Sequence, residues 1–144
     1  PLSTLHAPRA VPRYGEVRMP FDISIETHFC AAHALRHYKG RIEPTHGHNF
    51  KVVVTVTGKK VDRAGMAIDF LDLKPVIDAE AGRLNYVFLN ENVQEFEQGR
   101  LSPSAENIAR VMYRRIGKRL PKGVRMAAVQ VFESPGCSAT YREK

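Results

Sequence analysis

The stretch "FDISIETHFCAAH", Phe21–His33, alternates apolar and polar residues along its length. Phe21, Ile23, Ile25, Thr27, Phe29, Ala31 and His33 fall on one side of the alternation, and Asp22, Ser24, Glu26, His28, Cys30 and Ala32 on the other. A period of two is that of a half-buried strand. The pattern therefore places His33 on the face of Phe29 and turns Cys30 the opposite way.

After a charged, proline-containing loop from Arg36 to Thr45, "HNFKVVVTVT", His48–Thr57, is β-branched and aromatic enough for a second strand, and "GKKVDRAG" reads as a turn. Phe70, Leu73, Ile77, Ala81 and Leu84 then recur at helical spacing, predicting a helix over about 70–84. Asp69 or Asp72 is available as its N-cap, and Pro75 is tolerable only within the first turn. A second apolar stripe, Ile108, Val111, Met112, Ile116 and Leu120, begins after Ser104 as N-cap, with Glu106 complementing the helix dipole and Pro121 as its end. "RMAAVQVFE" and "CSATYRE" close the chain as a hairpin around Ser134-Pro135-Gly136. The order ββααββ argues for an α+β fold, a four-stranded antiparallel sheet with two helices on one face.

A chain of 144 residues suits one domain. Residues 1–19, with Pro1, Pro8 and Pro12 and no apolar period, read as an extended or disordered arm, leaving 20–144 as the domain. No apolar run approaches the roughly 18 residues of a membrane helix. Cys30 and Cys137 lack CxxC spacing and the N-terminus lacks the order of a signal peptide, so a cytoplasmic protein with free thiols is expected. The net charge of +7 gathers largely at Arg110, Arg114, Arg115, Lys118, Arg119, Lys122 and Arg125. Those residues share a stretch with the second apolar stripe, so they read as its solvated face. Without a recognition motif, nucleic acid is not an expected partner. A basic surface also draws phosphorylated small molecules.

"EPTHGHNF", Glu43–Phe50, holds His46 and His48 at i and i+2, about 6.5–7 Å apart on one face of a strand. If the first two strands pair across the 12-residue loop between His33 and His46, His33 joins them. Three neutral imidazoles suit Zn²⁺, and with no fourth protein ligand the open position is that of a catalytic site. Spacing by itself leaves open that the pair is a surface feature of a strand end.

In register over residues 20–143, "FCAAHAL", "EPTHGHNF", "GMAIDFLDLK", "LNYVFLNE", "SPSAENIA" and "VFESPGCSATY" resemble the family of 6-pyruvoyltetrahydropterin and 6-carboxytetrahydropterin synthases. The resemblance implies the tunnelling fold, in which three subunits close a twelve-stranded barrel and two trimers stack into a hexamer. It implies Zn²⁺ on His33, His46 and His48, and a dihydropterin substrate anchored by Glu133, whose carboxylate accepts two parallel hydrogen bonds from the ring. Ser104 and Glu106 match a segment that lines the family's pterin pocket, although both also suit a helix start.

Two features of most synthases are missing. Their general-base cysteine precedes the HGH motif, where this chain has "RIEP", and Cys30 is not its equivalent. Their Asp-His pair aligns with Asn85 and Tyr86, and neither is a carboxylate-oriented imidazole. A branch of the family instead carries E-x-x-H-G-H, matched by Glu43-Pro44-Thr45-His46-Gly47-His48 and linked to 6-hydroxymethyl-7,8-dihydropterin for folate synthesis. The resemblance thus implies a zinc-dependent lyase with Glu43 as catalytic base, cleaving the side chain of 7,8-dihydroneopterin or its triphosphate by retro-aldol chemistry. The alternatives are 6-carboxytetrahydropterin synthesis, of the queuosine pathway, 6-pyruvoyltetrahydropterin synthesis, and a pterin- or metal-binding relative without turnover.

Overall fold

The computed structural model describes residues 21–143, so the arm expected over 1–19 lies outside the described residues. Strands β1 (Phe21–His33) and β2 (His46–Gly58) pair antiparallel along their whole length, from Phe21 opposite Gly58 to His33 opposite His46. Strand β4 (Val124–Ser134) adds to the other edge of β2, with a bulge between Thr55 and Val56. Strand β5 (Cys137–Tyr141) folds back on β4 through the tight turn at Pro135-Gly136.

One face of this sheet is dry. Ile25, Thr27, Phe29, Ala31 and His33 of β1, Phe50, Val52, Val54 and Val56 of β2, and Val129 and Val131 of β4 are buried there. Residues between them face solvent and pair as a polar ladder: the Ser24 and Thr55 hydroxyls lie 2.8 Å apart and Thr57 donates to Asp22 at 2.7 Å. This alternation fixes the register, because a slip of one residue would turn Val52, Val54 and Val56 outward.

Helix α1 (Phe70–Leu84) packs Leu73, Ile77, Ala81 and Leu84 against β1, and Asp69 caps it by accepting from the Leu71 amide at 2.9 Å. Pro75 sits at the sixth helical residue, beyond the first turn to which proline was expected to be confined. Pro75 and Leu71 lie on the exposed side, where water can serve the Leu71 carbonyl that proline leaves without a donor. Helix α3 (Ala105–Gly117) lies over β4 and β5, capped by Ser104, whose hydroxyl accepts from the Asn107 amide. It stops at Gly117, four residues short of the expected Pro121.

The sheet has five strands and not the expected four, and one of them is parallel. A two-residue strand β3 (Val87–Phe88) runs alongside Ala31 and Ala32 of β1, giving the order β3-β1-β2-β4-β5. A third, one-turn helix α2 (Leu89–Asn92) follows it and a 3-10 turn at Glu97–Gly99 comes next. Segments this short carry no readable periodicity. They are held by partners distant in sequence: Arg115 of α3 binds Glu80 of α1 at 3.0 Å and forms a paired contact with Glu95, tying the segment after α2 to both long helices.

Candidate metal centre and its surroundings

The histidines form the last layer of the core. Phe29 lies opposite Phe50, their rings stacked at 4.8 Å, and the next pairs along the same face are Ala31 with His48 and His33 with His46. Because β1 and β2 alternate in phase, His33, His46 and His48 all point to one side. Their ligand atoms lie within 4.8 Å of one another.

Each ring is oriented from behind. His33, only 1% exposed, donates from Nδ1 to the Pro103 carbonyl at 2.7 Å, and His46 donates from Nδ1 to the Pro44 carbonyl at 2.9 Å. With both Nδ1 atoms acting as donors, both Nε2 atoms carry lone pairs, yet they face each other at 3.1 Å. Two such lone pairs repel unless a cation lies between them. Tetrahedral Zn²⁺ at about 2.0–2.1 Å from each nitrogen brings two imidazole nitrogens to about 3.3–3.4 Å, so the donor set fits zinc. Burial depresses the His33 pKa, with the charges of His46 and His48 acting in the same direction. The Pro103 carbonyl and the Glu133 charge oppose this without overcoming it. A neutral His33 is the form a metal requires.

Backbone around His33 is held by residues that sequence reading did not single out. The buried Asn90 amide accepts from the Ala34 amide at 2.9 Å and donates to the Ala34 carbonyl at 2.8 Å, acting as a substitute strand for the residue after the ligand. Ser102 accepts from the Arg36 amide at 2.9 Å, and the Asn107 side chain donates to the Ser102 carbonyl at 2.8 Å, which fixes the turn presenting Pro103. The only sequence signal was the clustering of Asn90 and Ser102 in the motifs "LNYVFLNE" and "SPSAENIA".

Glu43 stands at the edge of the triad. One carboxylate oxygen accepts from the Leu35 amide at 3.2 Å and lies 3.9 Å from His46 Nδ1. Among the described residues no other carboxylate comes within 4 Å of a triad histidine. Glu133 continues the buried face of Val129 and Val131, where the pairing of β4 with β5 shifts register, and its charge is felt at His33. Ser104 is occupied as the cap of α3, and Glu106 lies exposed in its first turn. The structure thus gathers the three histidines with Glu43 at their edge, leaves Glu133 half-buried near the end of β4, and gives Ser104 and Glu106 the helix-start roles their sequence positions also allowed.

Asn85 and Tyr86 are committed elsewhere. The Asn85 side chain accepts from the Cys30 amide at 2.8 Å and the Tyr86 amide donates to the Cys30 carbonyl at 2.6 Å. Tyr86 adopts a positive φ of 57° with its ring exposed, beside a cavity of about 530 Å³ lined by Cys30, His48, Asn49 and Phe88. Cys30 itself donates to Asn49 at 2.9 Å, on the sheet face opposite His33 as its parity required.

The sequence model of the family described as 6-pyruvoyl tetrahydropterin synthase matches residues 22–144. A 6-carboxy-5,6,7,8-tetrahydropterin synthase of Bacillus subtilis is 30% identical over 91% of this chain and 92% of its own. A dihydroneopterin monophosphate aldolase of Pyrococcus furiosus is 34% identical over 73% of this chain and 82% of its own. Among solved structures, the Caenorhabditis elegans 6-pyruvoyl tetrahydropterin synthase superposes with a TM-score of 0.73 at 22% identity, covering 88% of this chain and 97% of that one. That likeness carries the fold.

Proposed function

The chain belongs to the 6-pyruvoyl tetrahydropterin synthase family, and from that premise we propose that it is a zinc-dependent lyase that cleaves the side chain of 7,8-dihydroneopterin, or of a phosphate ester of it, to 6-hydroxymethyl-7,8-dihydropterin. The observation that carries this reading is Glu43, the carboxylate at the edge of the triad, in a chain that lacks the loop cysteine and the Asp-His pair of most synthases.

Bound on His33, His46 and His48, Zn²⁺ would supply Lewis acidity toward the vicinal hydroxyls of the side chain. Glu43 accepts the proton of the 2′-hydroxyl as the C1′–C2′ bond breaks. C2′ leaves as the aldehyde carbon of a two-carbon fragment, and the bonding pair passes to C1′ and the dihydropterin ring. C1′ is then protonated, which balances the step. Glu133, on the same sheet face, holds the ring by paired hydrogen bonds so that C1′ and C2′ stand between the metal site and Glu43.

The trimeric barrel and stacked hexamer belong to this reading. They are supported by a sheet whose β5 edge has no partner within the described chain. Carboxytetrahydropterin synthesis is the second reading, favoured by the identity to the Bacillus subtilis enzyme.

The test is product analysis by chromatography and mass after incubating zinc-loaded protein with 7,8-dihydroneopterin, its monophosphate and its triphosphate, with a chelated control. Chelator-sensitive 6-hydroxymethyl-7,8-dihydropterin is the expected product. A carboxy- or pyruvoyl-tetrahydropterin would overturn the aldolase reading, and no product from any of the three would overturn turnover.

A further inference from the structure

The three residues that follow His33 are each gripped through the backbone by a different side chain. The Ala34 amide and carbonyl bind Asn90, the Leu35 amide donates to Glu43 at 3.2 Å, and the Arg36 amide donates to the Ser102 hydroxyl at 2.9 Å. Arg36 also reaches back. Its half-buried guanidinium donates to the Leu101 carbonyl at 2.6 Å and to the Asn90 carbonyl at 3.3 Å. Among the described residues no carboxylate pairs with it. A guanidinium whose natural partner is a carboxylate is thus spent on two backbone carbonyls, where it acts as a staple.

Those two carbonyls belong to the segments that orient His33. Asn90 holds the Ala34 peptide, and Leu101 stands two residues ahead of Pro103, whose carbonyl accepts from His33 Nδ1 at 2.7 Å. Between Asn90 and Leu101 the chain passes through the rest of the one-turn helix α2 and the 3-10 turn at Glu97–Gly99, where Gln98 takes a positive φ of 52°. No continuous helix or strand therefore sets the distance between the two grips. The Arg36 fork does, since its planar donors reach both segments at once.

We infer that Arg36 is a positioning residue for the metal centre. By locking the Asn90 and Leu101 carbonyls together it makes the two grips on His33 one body, which keeps Nδ1 on the Pro103 carbonyl and the Nε2 lone pair aimed toward His46. The inference rests on the reading of His33, His46 and His48 as metal ligands. Arg36 acts on the ion only through His33, as the partner behind a ligand's own hydrogen-bond acceptor. Lysine is no substitute, because its ammonium is a point charge on a flexible stem and lacks the rigid fork.

The test compares wild type with Arg36→Met, Arg36→Lys and a control, Asp78→Ala. The control removes the bonds from Thr27 and Lys74, and Thr27 lies six residues before His33 on β1, about 20 Å away. Zinc affinity is measured by competition with a chromophoric chelator on protein shown to be folded. The His33 tautomer is read in zinc-free protein from nitrogen–proton correlation spectra. Arg36→Met should lose about tenfold or more in zinc affinity and show the Nε2-protonated tautomer mixed with the Nδ1-protonated one of wild type. Arg36→Lys should fall short of wild type in both, and Asp78→Ala should hold both despite lower stability. Wild-type affinity and tautomer in Arg36→Met would overturn the inference, as would full recovery in Arg36→Lys or an equal loss in Asp78→Ala. Should Arg36→Met fail to fold, Arg36→Lys against Asp78→Ala decides. If wild type binds no zinc, the metal reading fails, and the tautomer still decides whether Arg36 positions His33.

Discussion

His33 and His46 stand opposite each other on adjacent strands with their Nε2 atoms 3.1 Å apart, while Nδ1 of each donates to a backbone carbonyl, of Pro103 and Pro44. The rings are therefore fixed as acceptors toward each other before any ion arrives. His33→Ala or His46→Ala should reduce zinc affinity by more than the roughly 10–100-fold typical of losing an outer partner. Competition with a chromophoric chelator measures this, and unchanged affinity in either variant would refute the assigned ligand set.

Asn90 supports His33 through the residue after it. Asn90→Ala would leave the Ala34 amide and carbonyl unpaired in a buried place, at about 1–3 kcal/mol for each orphaned group. Urea unfolding of the zinc-free protein should show that loss as a lower midpoint. Zinc affinity should fall about 10–100-fold as well, since the ligand's backbone loses its support. A variant destabilised but binding zinc as tightly as wild type would reduce Asn90 to a purely structural residue.

Glu43→Gln removes the proton acceptor and keeps the shape of the side chain. If Glu43 is the base, kcat should fall by about 10²–10⁴-fold with zinc content unchanged. The informative measurement is kcat and KM on zinc-loaded variant alongside metal analysis, because a parallel loss of zinc would mean that Glu43 acts by orienting His46.

The Arg115 hub predicts a pH dependence away from the metal. Burial raises the Glu95 pKa, but hydrogen bonding and charge from Arg115 outweigh it, and the net shift is downward. A carboxyl whose folded pKa is depressed stabilises the fold above its unfolded value, near 4.3, and that contribution is lost as pH falls through the folded value. Glu95→Gln should therefore be less stable than wild type at neutral pH and converge with it in acid. Denaturation midpoints at several pH values would show the gap closing below about pH 4.3, and a constant gap would refute the linkage.

Phe21–His33 alternates so regularly that the strand, its buried face and the parity of His33 and Cys30 were legible from residue order, and the β-branched run His48–Thr57 marked the second strand. The helix from Phe70 to Leu84 and the cap at Ser104 were legible because periodicity and capping are local, while the choice of Asp69 over Asp72 as the first helix's cap was left to the structure. Glu43 drew notice through its spacing to His46. The sequence could not announce β3, α2 or the positive φ of Tyr86, which are too short or too strained to leave a pattern and are held by hydrogen bonds to Cys30 and Ala34 more than 50 residues away. Nor could it show that a backbone carbonyl at Pro103 orients His33, because every residue has the same carbonyl to offer and only folding brings this one within 2.7 Å. Residue order determined which side chains were available and on which face. Tertiary structure alone decided the partners of Asn85, Asn90 and Arg36, because those bonds form only when β1, α2 and the lead into α3 come together at the closed end of the core.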